Sequence, residues 1–497
     1  YFSLPAKAHI LSLFLFPVST NYVMKMINCF IPFLSLPQAR QTVRALGLCD
    51  RIKNIYLLAT EKIPDEVEGC EMLMIDSPAS TATFRTIALH ADTAYTLLYT
   101  KYTAFEPGQF AFERLLAIAG DTNAGMLYAD RYLLKNGNSQ QAPVIDYQKG
   151  SLRDDFDFGS LLFFRSSVLK QAVRAMDADY RFAGLYDLRL RVSELAELVH
   201  VNEYLYSEVE TDIRKSGEKL FDYVDPKNRA VQIEMEAVCT AYLKRVGGYL
   251  APDFEPVTFD AGGFEQEASV IIPVRNRIRT IEDAIRSVLA QKTTFRFNLI
   301  IVDNHSTDGT SEAIEKYTAD GRVVHLVPER SDLGIGGCWN VGVHHPACGK
   351  FAVQLDSDDV YSGPDTLQKI VDAFYEQNCA MVVGTYRMTD FKMNEIPPGI
   401  IDHREWTLEN GRNNALRING LGAPRAFYTP VLRRINLPNT SYGEDYALGL
   451  RISRTWRIGR IYDVLYLCRR WEDNSDAALD VVKLSLIHIS EPTRPEP

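Results

Sequence analysis

Three carboxylates stand within four residues of the stretch "QLDSDDVYSG" (354–363), directly after a run of apolar residues. Ionised side chains at Asp356, Asp358 and Asp359 would repel one another, and a hard divalent cation relieves that repulsion while leaving coordination sites for phosphate oxygens. The spacing is therefore compatible with a site where a metal ion bridges protein carboxylates to a diphosphate. Taken alone, however, acids after a strand more often form a helix cap or a solvated turn.

Polar residues also follow two other apolar runs. "ASVIIPV" (268–274) leads into Arg275 and Asn276, and "FNLIIVD" (297–303) ends at Asp303. Near-continuous apolar runs are typical of parallel strands that are covered on both faces. In doubly wound sheets ligands bind beyond the carboxyl ends of the strands, so we expect these polar residues to converge with the acids of 356–359.

The elements around these residues alternate between strand and helix. "TIEDAIRSVLAQ" (280–291) places its apolar residues on one helical face, with Thr280 as the cap. Further strands are predicted at 322–327, 350–355 and 379–384. This alternation predicts an α/β fold with a doubly wound, mostly parallel, Rossmann-like sheet.

The same pattern occurs twice in the chain. Residues 186–206 align without a gap on residues 446–466, with seven of the 21 positions identical. Residues 28–48 also resemble 269–289, and residues 158–169 resemble 421–432. The order of these matches predicts a tandem duplication with domains at about 26–250 and 268–483, joined by a helix over 225–246 and a linker rich in Gly and Pro.

Five motifs of the second half occur in the order that they have in one known family. They are "VIIPVRNR" (270–277), "IIVDNHSTDGT" (300–310), "DLGIGGCWNVG" (332–342), "LDSDD" (355–359) and "GEDYALGLRI" (443–452). Over roughly 268–475 the chain resembles a family 2 glycosyltransferase with the GT-A fold. The resemblance implies a metal-dependent, inverting hexosyl- or N-acetylhexosaminyltransferase that uses Mn²⁺ or Mg²⁺. The donor would be a nucleotide-diphosphate sugar, with a UDP-sugar favoured, and the acceptor a glycan or glycolipid hydroxyl in surface polysaccharide biosynthesis.

The resemblance also implies roles for individual residues. Asp445 would be the catalytic base with Glu444 beside it, although two acids there could simply favour a helix N-terminus. Asp358 and Asp356 would hold the metal. The donor-binding residues would be Pro273, Arg275, Asn276, Asp303, Gly334, Asn340 and Asp356. Two positions depart from the family: Trp339 stands where an Arg is frequent, and Trp471 where many members have a His.

The first half lacks these acids. With Pro107 laid on Pro364, Tyr99, Thr100, Lys101 and Tyr102 fall over residues 356–359. Ala59 falls near Asp303, and Gly184 and Leu185 fall over Glu444 and Asp445. A lysine in place of a metal ligand would repel a divalent ion. We therefore predict a degenerate, non-catalytic GT-A-like domain with a structural or acceptor-binding task.

Two other functions stay open. A sugar-nucleotide nucleotidyltransferase should have a Gly-rich loop after its first strand, and "PVRNRIRT" (273–280) contains no glycine. A non-catalytic sugar-binding or partner-binding protein would not need both Asp358 and Asp445. The net charge of -10 argues against a nucleic-acid partner.

The eight scattered cysteines indicate reduced thiols and a cytoplasmic location. By analogy with the family we expect peripheral association with the inner face of the cell membrane, and the sequence is compatible with a homo-oligomer. Residues 1–23 and 484–497 do not fit the domain pattern, and we expect these ends to be non-native or disordered, with a native start at Met24 or Met26.

Overall fold

The computed structural model describes residues 24–62, 65–135, 137–209, 228–260, 262–418 and 420–471. Residues 1–23 and 484–497, the ends expected to be non-native or disordered, lie outside these ranges. Within them the chain forms two nine-stranded sheets, one after the other. None of the helices in the described part of the chain combines the length and the apolar character of a membrane-spanning segment.

The first domain begins with a strand, a helix and a second strand. Its elements are β1 (Ile27–Pro32), α1 (Leu36–Gly47), β2 (Ile52–Ala59), β3 (Glu71–Met74), α2 (Thr81–His90), β4 (Tyr95–Tyr99), β5 (Phe105–Pro107), α3 (Ala111–Thr122), β6 (Met126–Lys135), β7 (Asn138–Ala142), β8 (Leu161–Arg165), α4 (Ser166–Arg174), α5 (Gly184–Leu195) and β9 (Leu198–Val209). Helix α6 (Arg229–Arg245) follows. The helix predicted over 225–246 is therefore present from Arg229 onward, and residues 225–227 lie outside the described part of the chain.

The second domain repeats this order of strands and adds two helices, α8 and α11. Its elements are β10 (Ala268–Val274), α7 (Ile281–Leu289), β11 (Phe297–Asp303), α8 (Thr310–Glu315), β12 (Val323–Leu326), α9 (Ile335–His344), β13 (Phe351–Gln354), β14 (Val360–Tyr361), α10 (Thr366–Gln377), β15 (Met381–Thr389), β16 (Glu395–Ile401), α11 (Gly411–Asn414), β17 (Arg425–Tyr428), α12 (Thr429–Ile435), α13 (Glu444–Ser453) and β18 (Ile458–Arg469). The strands predicted in this half all occur, with ends within a few residues of the prediction.

The two sheets have the same topology. The first runs β3-β2-β1-β4-β8-β6-β9-β5 with β7 beside β6, and the second runs β12-β11-β10-β13-β17-β15-β18-β14 with β16 beside β15. The first four strands of each order are parallel, and β8 and β17 are antiparallel to their neighbours β4 and β13. This identical order confirms the prediction of two tandem α/β domains.

Both faces of each sheet are covered, as the apolar strands require. In β1, Ile27, Cys29 and Ile31 pack in one buried cluster with residues of α1 and α3. Phe30, which points the opposite way, packs in a second cluster with residues of α2, α4 and α5. Successive side chains of a strand alternate between its faces, so a strand buried on both sides needs an unbroken apolar run.

The strand register corrects one detail of the sequence alignment. Ile27 pairs with Tyr95 in the first sheet, and its counterpart Ala268 pairs with Phe351 in the second. Counting five residues on from each partner places Thr100 at the position of Asp356, where the alignment on the two prolines had placed Tyr99. Neither register puts a carboxylate in the first domain at this point, because residues 100–105 read "TKYTAF".

Candidate active site

A cavity of about 480 Å³ opens at the carboxyl edge of the second sheet. The ends of β10 and β13, helix α9 and the first turn of α13 form its walls. It is lined by Pro273, Val274, Arg275, Arg277, Asn304, Leu333, Ile335, Cys338, Trp339, Gln354, Asp356, Ser357, Asp358, Asp359, Arg425, Phe427, Leu437, Ser441, Tyr442, Gly443, Glu444, Asp445, Cys468 and Arg470. Six of the predicted site residues are among them: Pro273, Arg275, Asp356, Asp358, Glu444 and Asp445.

Asp356 and Asp359 are anchored directly after β13. The Asp356 backbone N–H donates to the hydroxyl of Tyr466 (3.0 Å), and Gln354 Nε2 donates to Asp356 Oδ1 (2.9 Å). Asp359 Oδ1 accepts a hydrogen bond from the Arg469 backbone N–H (2.7 Å). Burial raises the pKa of both carboxyl groups above its ordinary value, and the charge of Asp358 adds to the effect.

Asp358 lies between these two and reaches the cavity. Its Oδ2 accepts a hydrogen bond from Trp471 Nε1 (3.1 Å), and Arg277 Nε lies 4.0 Å from the same oxygen. The Trp471 ring in turn stacks with the guanidinium groups of Arg277 and Arg279, at 5.7 and 5.0 Å from the ring centroid. Trp471, which stands where the family often has a His, therefore orients a carboxylate through its N–H and offers no lone pair to a metal.

The acid cluster fits a metal ion that takes much of its coordination from the substrate. Among the described residues, the one set of three His, Cys, Asp or Glu side chains close enough to share an ion is Cys49, Asp50 and Glu113 in the first domain. The cavity thus offers no compact cage of three such side chains. Mg²⁺ and Mn²⁺ sites in nucleotide-dependent enzymes typically use one or two carboxylates plus phosphate oxygens and water, and Asp358 with Asp356 can supply that share.

Glu444 and Asp445 begin helix α13 and line the same cavity. Gly443 precedes them with a φ of 76°, a left-handed conformation that favours glycine and turns the chain into the helix. Asp445 Oδ2 pairs with Arg425 Nη1 (2.5 Å), and Asp445 Oδ1 accepts from the Tyr446 backbone N–H (2.7 Å). Each carboxylate oxygen has a second lone pair, so Asp445 can still accept a proton from a hydroxyl.

Glu444 has a different environment from its neighbour. The side chain is only 8% exposed, and burial together with the charge of Asp445 raises the pKa of Glu444 to about 8. A carboxyl group in this state keeps its proton near neutral pH and can donate a hydrogen bond. The two adjacent acids are therefore suited to different tasks, with Glu444 as a neutral donor and Asp445 as the acceptor of a proton.

Asp303 is close to the cavity but does not line it. Its Oδ1 accepts from the Ser306 backbone N–H (3.0 Å), and its Oδ2 accepts from the Ser311 hydroxyl and lies 3.5 Å from His325 Nε2. Burial raises the pKa of Asp303, but the hydrogen bonds from His325, Ser306 and Ser311 outweigh it and hold the pKa below its usual range. Its neighbour Asn304 is the residue of this strand end that reaches the cavity.

Three other predicted donor residues hold the surrounding loops. Asn276, at a φ of 54°, accepts from the Thr307 backbone N–H through Oδ1 (2.8 Å). Gly334 packs so closely on the backbone of residues 440–441 that a side chain would not fit. Asn340 donates to Leu437 O (2.8 Å) and accepts from Leu437 N–H (2.9 Å). None of the three lines the cavity, and their donor-binding roles stay predictions.

Several residues that line the cavity were not predicted from the sequence to be site residues. Arg277, Arg425 and Arg470 bring positive charge to it, and Ile335, Cys338, Trp339, Phe427 and Leu437 form an apolar wall. Trp339 contacts Phe427 edge-on, with ring centroids 5.9 Å apart. One feature of the sequence could have indicated Arg425, because a charged residue begins the otherwise apolar run "RAFY" (425–428).

In the first domain, charged side chains of this region pair among themselves. Lys101 Nζ and Arg131 Nε both bind Oε1 of Glu208, at 2.6 and 3.0 Å, and the Glu208 side chain is fully buried. Arg131 also pairs with Asp157 (2.9 Å). The cation at position 101 thus neutralises an internal carboxylate and is not aimed at a ligand.

The second domain matches a family of known proteins. Residues 269–434 match the model of the family described as "Glycosyl transferase family 2". The putative teichuronic acid biosynthesis glycosyltransferase TuaG of Bacillus subtilis (strain 168) is 33% identical over 120 residues, which cover 24% of this chain and 46% of that protein. An uncharacterized glycosyltransferase of Rickettsia felis is 30% identical over 200 residues, covering 40% of this chain and 32% of that protein. The chain thus spans less than half the length of these two relatives.

Solved structures resemble part of the chain. Residues 1–349 of S. aureus TarS in complex with UDP-GlcNAc have a TM-score of 0.37 at 23% identity, covering 45% of this chain and 66% of that one. The mannosyltransferase PcManGT from Pyrobaculum calidifontis, in complex with GDP-Man and Mn²⁺, has a TM-score of 0.34 at 18% identity, covering 50% of this chain and 68% of that one.

Proposed function

We propose that this chain, whose second half is a family 2 glycosyltransferase domain, transfers a sugar from a nucleotide-diphosphate donor to an acceptor hydroxyl with inversion. The observation that carries the proposal is the cavity itself, which is lined both by Asp356 and Asp358 and by Glu444 and Asp445. An inverting transfer needs both pairs of acids at once, because the leaving group departs from one face of the sugar while the acceptor attacks the other.

The donor diphosphate would lie in the part of the cavity next to Asp356 and Asp358. A Mn²⁺ or Mg²⁺ ion held by these carboxylates would neutralise the charge that builds on the departing nucleotide diphosphate. Arg275, Arg277 and Arg470 line the cavity as well and would add positive charge for the phosphate oxygens. Asp303 would contribute indirectly. Its hydrogen bonds fix the loop after β11, and Asn304, the first residue of that loop, would face the donor.

The acceptor would approach from the α13 end. Asp445 would take the proton of the acceptor hydroxyl while the hydroxyl oxygen attacks the anomeric carbon of the donor sugar. The nucleoside diphosphate would leave in the same step, which makes the reaction a single displacement. Arg425 holds Asp445 in place through the 2.5 Å ion pair. Glu444, which keeps its own proton near neutral pH, would donate a hydrogen bond to a hydroxyl of the sugar or the acceptor.

The substrate class follows from the relatives only as a proposal. One relative is named for teichuronic acid biosynthesis, which supports a growing surface polysaccharide or glycolipid as the acceptor. UDP-sugars are the first donors to test. Such an acceptor would place the enzyme in the cytoplasm, as a peripheral protein at the inner face of the membrane. Nucleic acid would not be a partner. A homo-oligomer is compatible with this arrangement. The first domain, at about 26–250, would not be catalytic.

A donor screen tests the proposal. We expect hydrolysis or transfer with one UDP- or GDP-sugar when Mn²⁺ or Mg²⁺ is present, followed as release of the nucleoside diphosphate. A nucleotidyltransferase would instead release pyrophosphate from a nucleoside triphosphate and a sugar 1-phosphate. A binding protein would retain a nucleotide sugar without turnover, and either of these results would refute the proposal.

A further inference from the structure

We propose that the first domain positions the acceptor end of the active site, through residues 410–418 of the second domain, which we name the interdomain segment. The inference rests on the proposed function because it assigns the catalytic end to Asp445. The segment consists of α11 and the turn after it, and nearly all of its residues are buried. It contacts the first domain and helix α6 on one side and the surroundings of α13 on the other.

The contacts on the first-domain side include a buried ion pair. Arg417, which is fully buried, donates through Nη1 to Asp154 Oδ2 of the first domain and to Gln232 Oε1 of α6 (2.8 Å). Asn410 Nδ2 donates to Glu236 Oε1 (2.7 Å) and to Thr240 Oγ1 (3.0 Å), also on α6. Breaking one partner of a buried ion pair leaves an uncompensated charge, so these contacts hold the segment firmly.

The linker and an apolar cluster complete this side. Asn413 exchanges two hydrogen bonds with the backbone of Leu250, at 3.0 and 2.9 Å. Arg412 Nη1 donates to the carbonyls of Ala251 and Asp253, both at 2.7 Å. Leu416 packs on a cluster that contains Tyr186 of the first domain and residues of α6. Five of the nine residues of the segment thus make contacts on this side.

Two routes connect the segment to Asp445. The first is direct, because the Tyr446 hydroxyl donates to the carbonyl of Ala415 and Tyr446 adjoins Asp445 on α13. The second runs along the chain, since Leu421 O accepts from Arg425 Nη1 (2.9 Å), the same atom that pairs with Asp445 Oδ2. A shift of the segment would therefore move both the helix that carries Asp445 and the cation that orients it.

The first-domain surface used for this contact adjoins the place where its own active site would lie. Leu185 takes the position of Asp445, one residue into its helix, and Leu162 takes that of Arg425. Both line a cavity of about 130 Å³ with mostly apolar walls, and Asp154 and the α6 residue Met235 border it. After the loss of its polar groups, this end of the first domain serves to seat α6 and the interdomain segment.

The test compares single and paired substitutions in the full chain. Asp154→Asn should lower kcat roughly 10–100-fold, because a small misplacement of a catalytic group has effects of that size. The KM for the nucleotide sugar found in the donor screen and the Kd for UDP with Mn²⁺ should stay unchanged. Replacing the whole pair with apolar residues, Asp154→Leu with Arg417→Met, should recover much of kcat, since buried ion pairs can often be replaced in this way.

A matched control separates positioning from general loss of stability. Glu208→Gln removes the charge of a carboxylate that is fully buried in the first domain and paired with Lys101 and Arg131. We expect it to lower the melting temperature and leave kcat near that of the wild type. A wild-type kcat in Asp154→Asn, or an equal loss of kcat in Glu208→Gln, would overturn the inference.

Hydrogen exchange keeps the two proposals distinguishable. Asp154→Asn should speed amide exchange at residues 443–449, the start of α13, whereas Glu208→Gln should not. If the wild type turned over no nucleotide sugar, the proposed function would be refuted. Amide exchange at residues 443–449 would still test whether the first domain positions the start of α13. Unchanged exchange in Asp154→Asn would refute that link whatever the activity.

Discussion

The Asp358 carboxylate reaches the cavity with one oxygen held by Trp471 and with Arg277 nearby. Asp358→Ala removes this group without removing core volume, so the fold should persist. Loss of a metal-centred contact to the diphosphate should lower kcat roughly a thousandfold or more. Asp372→Ala, on the exposed face of α10, is the control. Full activity in Asp358→Ala, or in the wild type with a chelator, would exclude the metal mechanism.

We propose that Asp445 acts on the chemical step and not on donor binding. Asp445→Asn keeps the shape of the side chain but cannot take a proton, so kcat should fall by roughly 10²–10⁴. The Kd for UDP, measured by titration calorimetry, should not change. Asp463→Asn, on the exposed side of β18, is the control. A collapse of UDP affinity would make Asp445 a binding residue and leave the base to be found elsewhere.

The raised pKa of Glu444 predicts how stability depends on pH. The pKa is about 8 in the folded protein and near 4.3 in an unfolded chain, so the folded state favours the protonated form. Its contribution to the free energy of unfolding is complete below the unfolded pKa and is lost as pH rises through the folded pKa. Urea unfolding at about pH 5 and about pH 8.5 should show this loss in the wild type and a smaller one in Glu444→Gln. An equal change in the free energy of unfolding between the two pH values in both proteins would show that Glu444 is ionised throughout this range.

Among the elements, helix α9 and the chain before α13 form one side of the site and are tied together by Asn340. Its side chain makes two hydrogen bonds with the backbone of Leu437. Asn340→Ala should lower the free energy of unfolding by about 1–3 kcal/mol, the usual effect of leaving buried partners unpaired. UDP affinity should persist if the role is structural. Asn394→Ala, in an exposed turn, is the control, and a loss of UDP affinity without loss of stability would show a direct donor contact.

The strands could be predicted because a buried parallel strand gives a near-continuous run of apolar residues. β10 and β11 begin and end where the apolar runs do, and the polar residues after them lie at one edge as expected. The acids of 356–359 and of 444–445 were found for the same reason, since each opens or closes an element.

What could not be predicted depends on where side chains point. Asp303 follows its strand as expected, but Ser306 and Ser311 draw it into its own loop. Arg425 and Trp471 reach Asp445 and Asp358 from elements distant in sequence, and no local pattern shows such a contact. The alignment of the loop after β4 was one residue out because the two prolines that guided it do not occupy equivalent positions in the two sheets.

At the scale of the whole molecule, the duplicated sheets invite the question whether both bind a donor. The first domain has Ala59 at the register position of Asp303, Leu185 at that of Asp445 and no carboxylate in residues 100–105. Its Lys101 and Arg131 are already paired with the buried Glu208. These replacements would remove the counterparts of the proposed metal ligands, the proposed base and Asp303 together, so a single added acid should restore nothing.

The prediction is one nucleotide-sugar site per chain. Titration with UDP and Mn²⁺ should give a stoichiometry of one, lost in Asp358→Ala and kept in Lys101→Ala. Tyr99→Asp with Lys101→Asp, and equally Thr100→Asp with Lys101→Asp in the corrected register, should create no second site, because Ala59 and Leu185 would still lack the donor and base groups. Two sites per chain would contradict the prediction. So would a turnover in Asp358→Ala with Asp445→Asn close to that of the wild type, because the second domain would then not be its main source.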